Sequence, residues 1–240
     1  MGAGMLLSGE DVADSFMVHG IFSFELGGNL LYITTTHVCL LIVVLTLIVF
    51  SLIAHHKMKK ANDIPAGLQN VLEIIVEFLD GVIDKTMGKN AKGFKNYIGT
   101  IFIFILFCNI SGLLGLRPPT ADYGVTFPLG VTTFFLIFVN KIRYQKVSGF
   151  LKGLCDPWVF WAPINVIGDL AVPISLSLRL FANILSGTVM MALIYGLLSK
   201  IAYCWPGALH VYFDLFSGAI QTYVFCMLTM TYISDAIGND

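Results

Sequence analysis

Charge is what this sequence of 240 residues most lacks: Asp, Glu, Lys and Arg together make up 12% of it, against 57% hydrophobic residues. Water-soluble domains carry about 25% charged residues, so the groups needed to cover a globule in water are missing and a membrane protein is indicated. An excess of basic residues is also absent at a net charge of −1, which excludes the electrostatic footprint of a nucleic-acid binder. A mean hydropathy of +0.82 excludes a disordered chain and a disulfide-stapled secreted module. The five cysteines, Cys39, Cys108, Cys155, Cys204 and Cys226, form no C-x-x-C pair and sit mostly in apolar runs, where they read as small packing residues.

Motifs of soluble chemistry are missing too. No basic n-region or small-residue cleavage site marks the first thirty residues, so no removable signal peptide is expected. His19, His37, His55, His56 and His210 show no metal-ligand spacing, and there is no phosphate-binding glycine loop or G-x-S-x-G elbow. No metal, no cofactor and no covalent catalyst is expected.

What the sequence does have is long apolar runs. Residues 34–54 carry no formal charge, and at about 1.5 Å per residue they match a bilayer core of about 30 Å. Two further runs within 97–139 are separated only by the short stretch around Arg117-Pro118-Pro119, so they predict a spanning helical hairpin. A polar stretch, 140–156, follows. From Trp158 the apolar character lasts about forty residues, twice a spanning length, interrupted only by Asp169, Pro173 and Arg179. Two spans with a turn near Pro173 and one long tilted helix with a kinked lead-in both fit this run. A last apolar stretch, about 207–233, contains one acid, Asp214.

Lys57, Lys59, Lys60, Lys85, Lys89, Lys92, Lys95, Lys141, Arg143, Lys146 and Lys152 all fall in two inter-span segments, whereas Arg117 and Lys200 fall on the other side. Positive charge stays in the cytoplasm, which predicts an N-terminus outside and a cytoplasmic C-terminus. Residues 63–86 form a different kind of helix. Pro65 suits its first turn, Leu68, Val71, Leu72, Ile75, Phe78, Leu79, Val82 and Ile83 recur at helical spacing, and Glu73, Glu77, Asp80 and Asp84 make the opposite stripe. The expectation is an interfacial helix on the cytoplasmic side whose acidic face meets a protein partner or solvent.

Arg179 belongs to neither side. It lies too deep in its run to snorkel fully, and a charge at mid-depth costs about 2.5–3.5 kcal/mol on insertion scales. One reading is an arginine satisfied by carbonyls or by Asp169 within the chain; the other is a fixed positive charge beside an ion path. Asn183 follows one turn on, and Ser175, Ala182, Ser186 and Gly187 keep the surroundings small enough for another helix to approach. In the last run Asp214, Gly218, Gln221 and Phe225 recur on one helical stripe, placing an acid, a gap and an amide in line. Gln221 alone is equally well read as an interhelical hydrogen bond.

The string Pro173-Ile174-Ser175-Leu176-Ser177-Leu178-Arg179-Leu180-Phe181-Ala182-Asn183 resembles the arginine signature of the a subunits of F-type ATP synthases. Three other segments agree in order: Leu68-Gln69-Asn70 with Glu73; Gly99 to Phe102 through Asn109 to Pro118-Pro119-Thr120-Ala121-Asp122; and Gln221 to Phe225 through Tyr232-Ile233-Ser234. The resemblance covers residues 34–235. It implies one all-α membrane domain over 1–240, with an outer N-terminal segment (1–33), a spanning helix (34–54), an interfacial helix (63–86), a helical hairpin (97–139) and two long tilted helices (158–235) facing a ring of c subunits. It further implies partners in the b subunits of a peripheral stalk, in the F1 sector indirectly and in membrane lipid, and a bacterial plasma membrane as location.

By the same resemblance Arg179 is the essential arginine, Asn183 its neighbour and Gln221 the amide on the facing helix. Together with Asp214, Asp169 and Thr188 they would serve proton translocation through two half-channels kept apart by Arg179. Relatives place Glu or His where this chain has Thr188, His or Glu at Asp214, Glu at Asp169 and Gly at Ala182. The rival from another class is a secondary transporter that coordinates an anionic substrate through Arg179 with Asp169 as coupling site, but no second copy of the R-x-x-x-N segment supplies the expected repeat. An intramembrane enzyme would need a dyad or metal ligands that the sequence does not offer.

Overall fold

The computed structural model describes residues 20–26, 29–59, 67–114, 116–154, 159–197 and 205–238. Two short strands, β1 (Gly20–Leu26) and β2 (Asn29–Thr34), pair antiparallel and lead into α1 (Thr35–Met58). Then come α2 (Leu68–Met87), α3 (Lys95–Ile110), α4 (Tyr123–Leu154) and α5 (Ala162–Leu197). The last helix is composite: α6 (Trp205–His210), a π-helical segment (Val211–Ser217) and α7 (Gly218–Ile237). Among the described residues, five stretches are long and apolar enough to cross a membrane, namely Thr35–Met58, Lys95–Leu114, Tyr123–Gln145, Ala162–Ile194 and Gly207–Ile237. The helical character expected from the apolar runs is therefore present, and the chain is a multi-pass membrane protein.

Several boundaries differ from the sequence expectation. The segment 1–33 carries a β-hairpin in its described part, where aromatic and β-branched residues of GIFSFEL and NLLYIT flank Gly27-Gly28. The helix expected over 63–86 begins at Leu68, after Gly67 at φ 62°, so Pro65 precedes it and lies outside the described residues. Helix α4 does not stop at residue 139 but runs through most of the polar stretch 140–156. Lys, Arg and Gln are good helix formers, so the loss of apolar character marks where the chain leaves lipid rather than where the helix ends. The long run past Trp158 is one helix of 36 residues with Pro173 inside it, preceded by a single 3-10 turn, Val159–Trp161. Cys155 and Cys204 lie outside the described residues, while Cys39, Cys108 and Cys226 are buried free thiols.

A core of Ile83 and Met87 from α2, Ile98, Ile101 and Ile105 from α3, Leu176 and Leu180 from α5, and Phe225, Met230 and Ile233 from α7 ties four helices together. Only the C-terminal half of α2 enters that core; Val71, Ile74, Ile75, Val76 and Phe78 remain exposed. Its acidic stripe is not wholly free either. The Lys95 ammonium lies 3.1 Å from Asp80 and 2.9 Å from Asp84, which fastens α2 to the start of α3 and uses half of the carboxylates within the chain.

In lipid there is no hydrophobic drive between apolar helices, so close backbone approach and buried polar contacts must hold them. Helices α4 and α5 pack along each other most extensively. Gly130 makes this possible: a Cβ there would sit 2.6 Å from the Pro173 carbonyl oxygen and 3.2 Å from the Ser177 Cβ. Pro173 has no N–H and leaves a carbonyl of the preceding turn without its helical donor, while its own carbonyl accepts the Ser177 hydroxyl at 2.8 Å. Gly130→Ala therefore forces α4 away from α5 and is expected to destabilise the solubilised protein by about 1–3 kcal/mol. Gly99→Ala, where a Cβ meets nothing within 4 Å, is the neutral control. Thermal midpoints of the two variants in the same detergent check this.

Candidate functional site

The site is built on α5 and the last helix. Close to the middle of α5, Arg179 is exposed on the surface of the chain. Ser175, Ala182 and Ser186, spaced by helical turns, are exposed with it, so the arginine stands on a strip of small side chains. The buried face of the same helix carries Leu176, Leu180 and Ile184. Among the described residues no hydrogen bond or ion pair holds the Arg179 guanidinium.

Asp169 does not serve it. Its carboxylate accepts the Lys141 ammonium at 2.8 Å, across from α4, in the wall of a cavity of about 230 Å³ that also includes Tyr232 and Asp235. The reading of Arg179 as a structural arginine neutralised by Asp169 is thereby corrected: the lysine supplied by the extension of α4 takes that carboxylate instead. Sequence reasoning counted Lys141 only as a loop charge, because it placed the end of α4 just before it.

Asn183, half-buried, donates from Nδ2 to the Ser217 hydroxyl at 3.2 Å and so joins α5 to the end of the π-helical segment. Gly187 faces Phe213, whose Cβ lies 3.7 Å and whose ring lies 3.8 Å from where a Gly187 Cβ would stand. Thr188 turns its hydroxyl back onto the Leu185 carbonyl at 2.8 Å.

On the last helix Gly218, Gln221 and Phe225 are buried, and Asp214 has a side chain only 12% exposed. This stripe is turned toward α3. A Cβ on Gly112, just past α3, would lie 3.1 Å from the Asp214 carboxyl carbon, and a Cβ on Gly218 would lie 2.9 Å from that of Asn109. Asn109 is fully engaged: its amide donates to the Gly218 carbonyl at 3.0 Å and to the Thr222 hydroxyl at 3.2 Å, and its oxygen accepts the Thr120 hydroxyl at 2.8 Å. Each of these bonds crosses between elements that would otherwise meet only through apolar contact. Gln221 is different, since its Nε2 is buried without a hydrogen-bond partner. A buried amide donor without a partner costs about 1–3 kcal/mol, which the packing of the last helix against α3 must offset.

Asp214 also has a partner that the sequence reading passed over. His210 Nδ1 lies 3.0 Å from Asp214 Oδ2. The i,i+4 spacing is visible in the sequence, but spacing alone does not distinguish this contact from two unrelated side chains on one helix. Asn109 stands in one of the segments that carry the resemblance, but the sequence assigns it no role in the site.

Comparison with known proteins bears on what this arrangement is. Residues 37–234 match the family described as ATP synthase A chain. The ATP synthase subunit a of Moorella thermoacetica is 32% identical, over 89% of this chain and 94% of that protein. That of Limosilactobacillus reuteri is 33% identical, over 90% and 97%. A further relative, the sodium ion specific ATP synthase subunit a of Propionigenium modestum, is 36% identical over 75% of this chain and 67% of its own length. With nearly the whole apolar body matched, from the start of α1 to the end of the last helix, the chain belongs to the ATP synthase A chain family.

Proposed function

We propose that this chain is the proton-translocating stator subunit of an F-type ATP synthase, with Arg179 keeping two offset half-channels apart. Membership of the family makes it a subunit of the membrane sector that works against a ring of c subunits. The observation that carries the finer reading is the Arg179 guanidinium, exposed on a strip of small residues and unpaired among the described residues of its own chain. A cation at mid-membrane needs a counter-charge, and a carboxylate on the passing ring supplies it.

The chemistry follows from this pairing. The field of Arg179 stabilises an ionised ring carboxylate, so the acid gives up its proton when it arrives opposite. The same charge repels a hydronium and closes a direct path between the half-channels. Arginine suits the position because a guanidinium keeps its charge where a buried ammonium readily loses it. Each proton that crosses 100 mV delivers about 2.3 kcal/mol, so several must be coupled to one ATP.

The positive-inside pattern puts the N-terminus outside and the C-terminus in the cytoplasm of a bacterial cell. Asp169 and Lys141 then belong to the cytoplasmic half-channel, and Asp214 with Thr188 to the outer one. Asn183, one turn after Arg179 on α5, and Gln221, on the last helix, are the two amides assigned to the same path. At 36 residues α5 is about 54 Å long, well over a hydrocarbon thickness of about 30 Å, which is why we read it as a strongly tilted helix lying along the ring. Helix α2, apolar on its exposed N-terminal half and acidic at Glu73 and Glu77, is read as the interfacial helix, touching lipid and the b subunits of the peripheral stalk; F1 is reached through them.

Arg179→Ala is expected to reduce ATP synthesis driven by an imposed proton gradient to background while the complex still assembles; substantial synthesis by a fully assembled variant would contradict the reading. Asp214→Asn, which keeps the shape and removes the exchangeable proton, should slow ATP-driven proton pumping by roughly ten-fold or more, and Asp214→Glu should retain most of it. Reversal of Glu73 and Glu77 to Lys should release the peripheral stalk during purification at low salt without preventing membrane insertion, as gel analysis of the recovered complex would reveal.

A further inference from the structure

We propose that the polar extension of α4 is a bracket for the two helices that carry the site: Lys141 holds α5, Gln145 holds the last helix, and together they set the spacing of the helices that bear Arg179 and Gln221. The inference rests on the reading that Arg179 keeps two half-channels apart. It makes Lys141, Asp169 and Gln145 positioning residues, with Asp169 acting through its ion pair and not through exchange of its own proton.

The two bonds come from one face of one helix. Lys141 and Gln145 are four residues apart on α4, so they stand a turn apart on the same side. The Lys141 ammonium donates to Asp169 Oδ2 of α5 at 2.8 Å, and Gln145 Nε2 donates to the Ala236 carbonyl of α7 at 3.2 Å. Both acceptor residues, Asp169 and Ala236, line the cavity of about 230 Å³, so α4 grips α5 and α7 where the two border the same gap.

These ends need such a tie. At the opposite end the seven residues 198–204 join α5 to α6, and the Asn183–Ser217 bond lies on that side of Arg179, so parting is limited there. No chain joins the helices at the cavity end, and α4 packs on α5 and on α7 more extensively than those two pack on each other. Helix α5 also lacks a backbone bond at this point. Pro173 has no N–H to give to the carbonyl four residues back, which is that of Asp169. The residue whose backbone misses its helical donor is thus the one whose side chain is tied to α4. Asp169 lies ten residues before Arg179, about 15 Å along the helix, so a swing of the lead-in at Pro173 alters how the arginine stands against the last helix. With the bracket broken the two helices part, the barrier around Arg179 widens and protons pass without turning the ring. The defect is uncoupling: ATP hydrolysis continues while pumping falls.

The test uses the whole complex in vesicles at matched complex levels and measures ATP hydrolysis and ATP-driven proton pumping in the same preparation. Lys141→Gln removes the ion pair, and Gln145→Met keeps the shape but loses the N–H donor. Each is expected to lower the protons pumped per ATP hydrolysed by roughly two- to ten-fold. Gln145→Lys, which keeps a donor, should stay near the wild-type ratio, and exchange of the pair, Lys141→Asp with Asp169→Lys, should regain most of what Lys141→Gln loses. Lower pumping with an unchanged ratio would assign the contacts to general stability and overturn the proposal. An exchanged pair no better than Lys141→Gln would show that the carboxylate is needed on α5 itself, and would overturn it too. Arg179→Ala in the same assay reports on the underlying reading: pumping that survives there removes that reading. Pumping lost there, with wild-type ratios in Lys141→Gln and Gln145→Met, overturns the bracket alone.

Discussion

A guanidinium in the middle of a membrane helix, without a partner among the described residues of its own chain, is the constraint to which the rest of the structure answers. Leaving Arg179 in lipid is costly, and folding it inward against Asp169 would remove the cost. The chain avoids that outcome by giving Asp169 a different cation, Lys141, carried on a helix that extends beyond its apolar stretch. The arginine is thereby kept outward, on a strip where Ser175, Ala182 and Ser186 allow a neighbouring helix to come close.

Holding α5 and the last helix in place while the face around Arg179 stays exposed requires strong contacts on the other faces. Apolar packing alone does not provide direction in a bilayer, so the chain relies on glycine at points of closest approach and on small polar groups across the gaps. Gly130 lets α4 meet Pro173, Gly218 lets the last helix meet Asn109, and Gly112 makes room for Asp214. Asn109 and Asn183 then bond across to Gly218, Thr222 and Ser217. The stripe that carries Asp214, Gly218, Gln221 and Phe225 is thus covered by α3, which shelters the carboxylate.

Much of this was legible in the sequence for a simple reason: a bilayer imposes a length and an apolar composition, and both are written in single letters. The spanning runs, the amphipathic helix after α1 and the isolation of Arg179 all follow from that, and the family resemblance rested on the residues around Arg179 and Gln221. What was not legible depends on contacts between distant segments. The reach of α4 past residue 139 was hidden because polar helix formers look like a loop when apolarity is the signal, and with it the Lys141–Asp169 pair was hidden. The β-hairpin before α1 was missed because the reading there sought only helices and leaders. Asp80 and Asp84 read as a free acidic face until the placement of Lys95 showed where half of that charge goes. The His210–Asp214 spacing is in plain view in the sequence, but only the fold shows the two side chains in contact.

The central claim is that the exposed strip around Arg179 faces the ring. Disulfide cross-linking in native membranes tests it most directly, with the chain's own cysteines replaced and single cysteines introduced at Ser175, Ala182 and Ser186, each combined with cysteines scanned along the outer helix of the ring subunit. Cross-links from these three positions, and none from Leu176→Cys or Leu180→Cys on the buried face, are the predicted result. Cross-links from the strip to the peripheral stalk, or none to the ring in an assembled and active complex, would contradict the account.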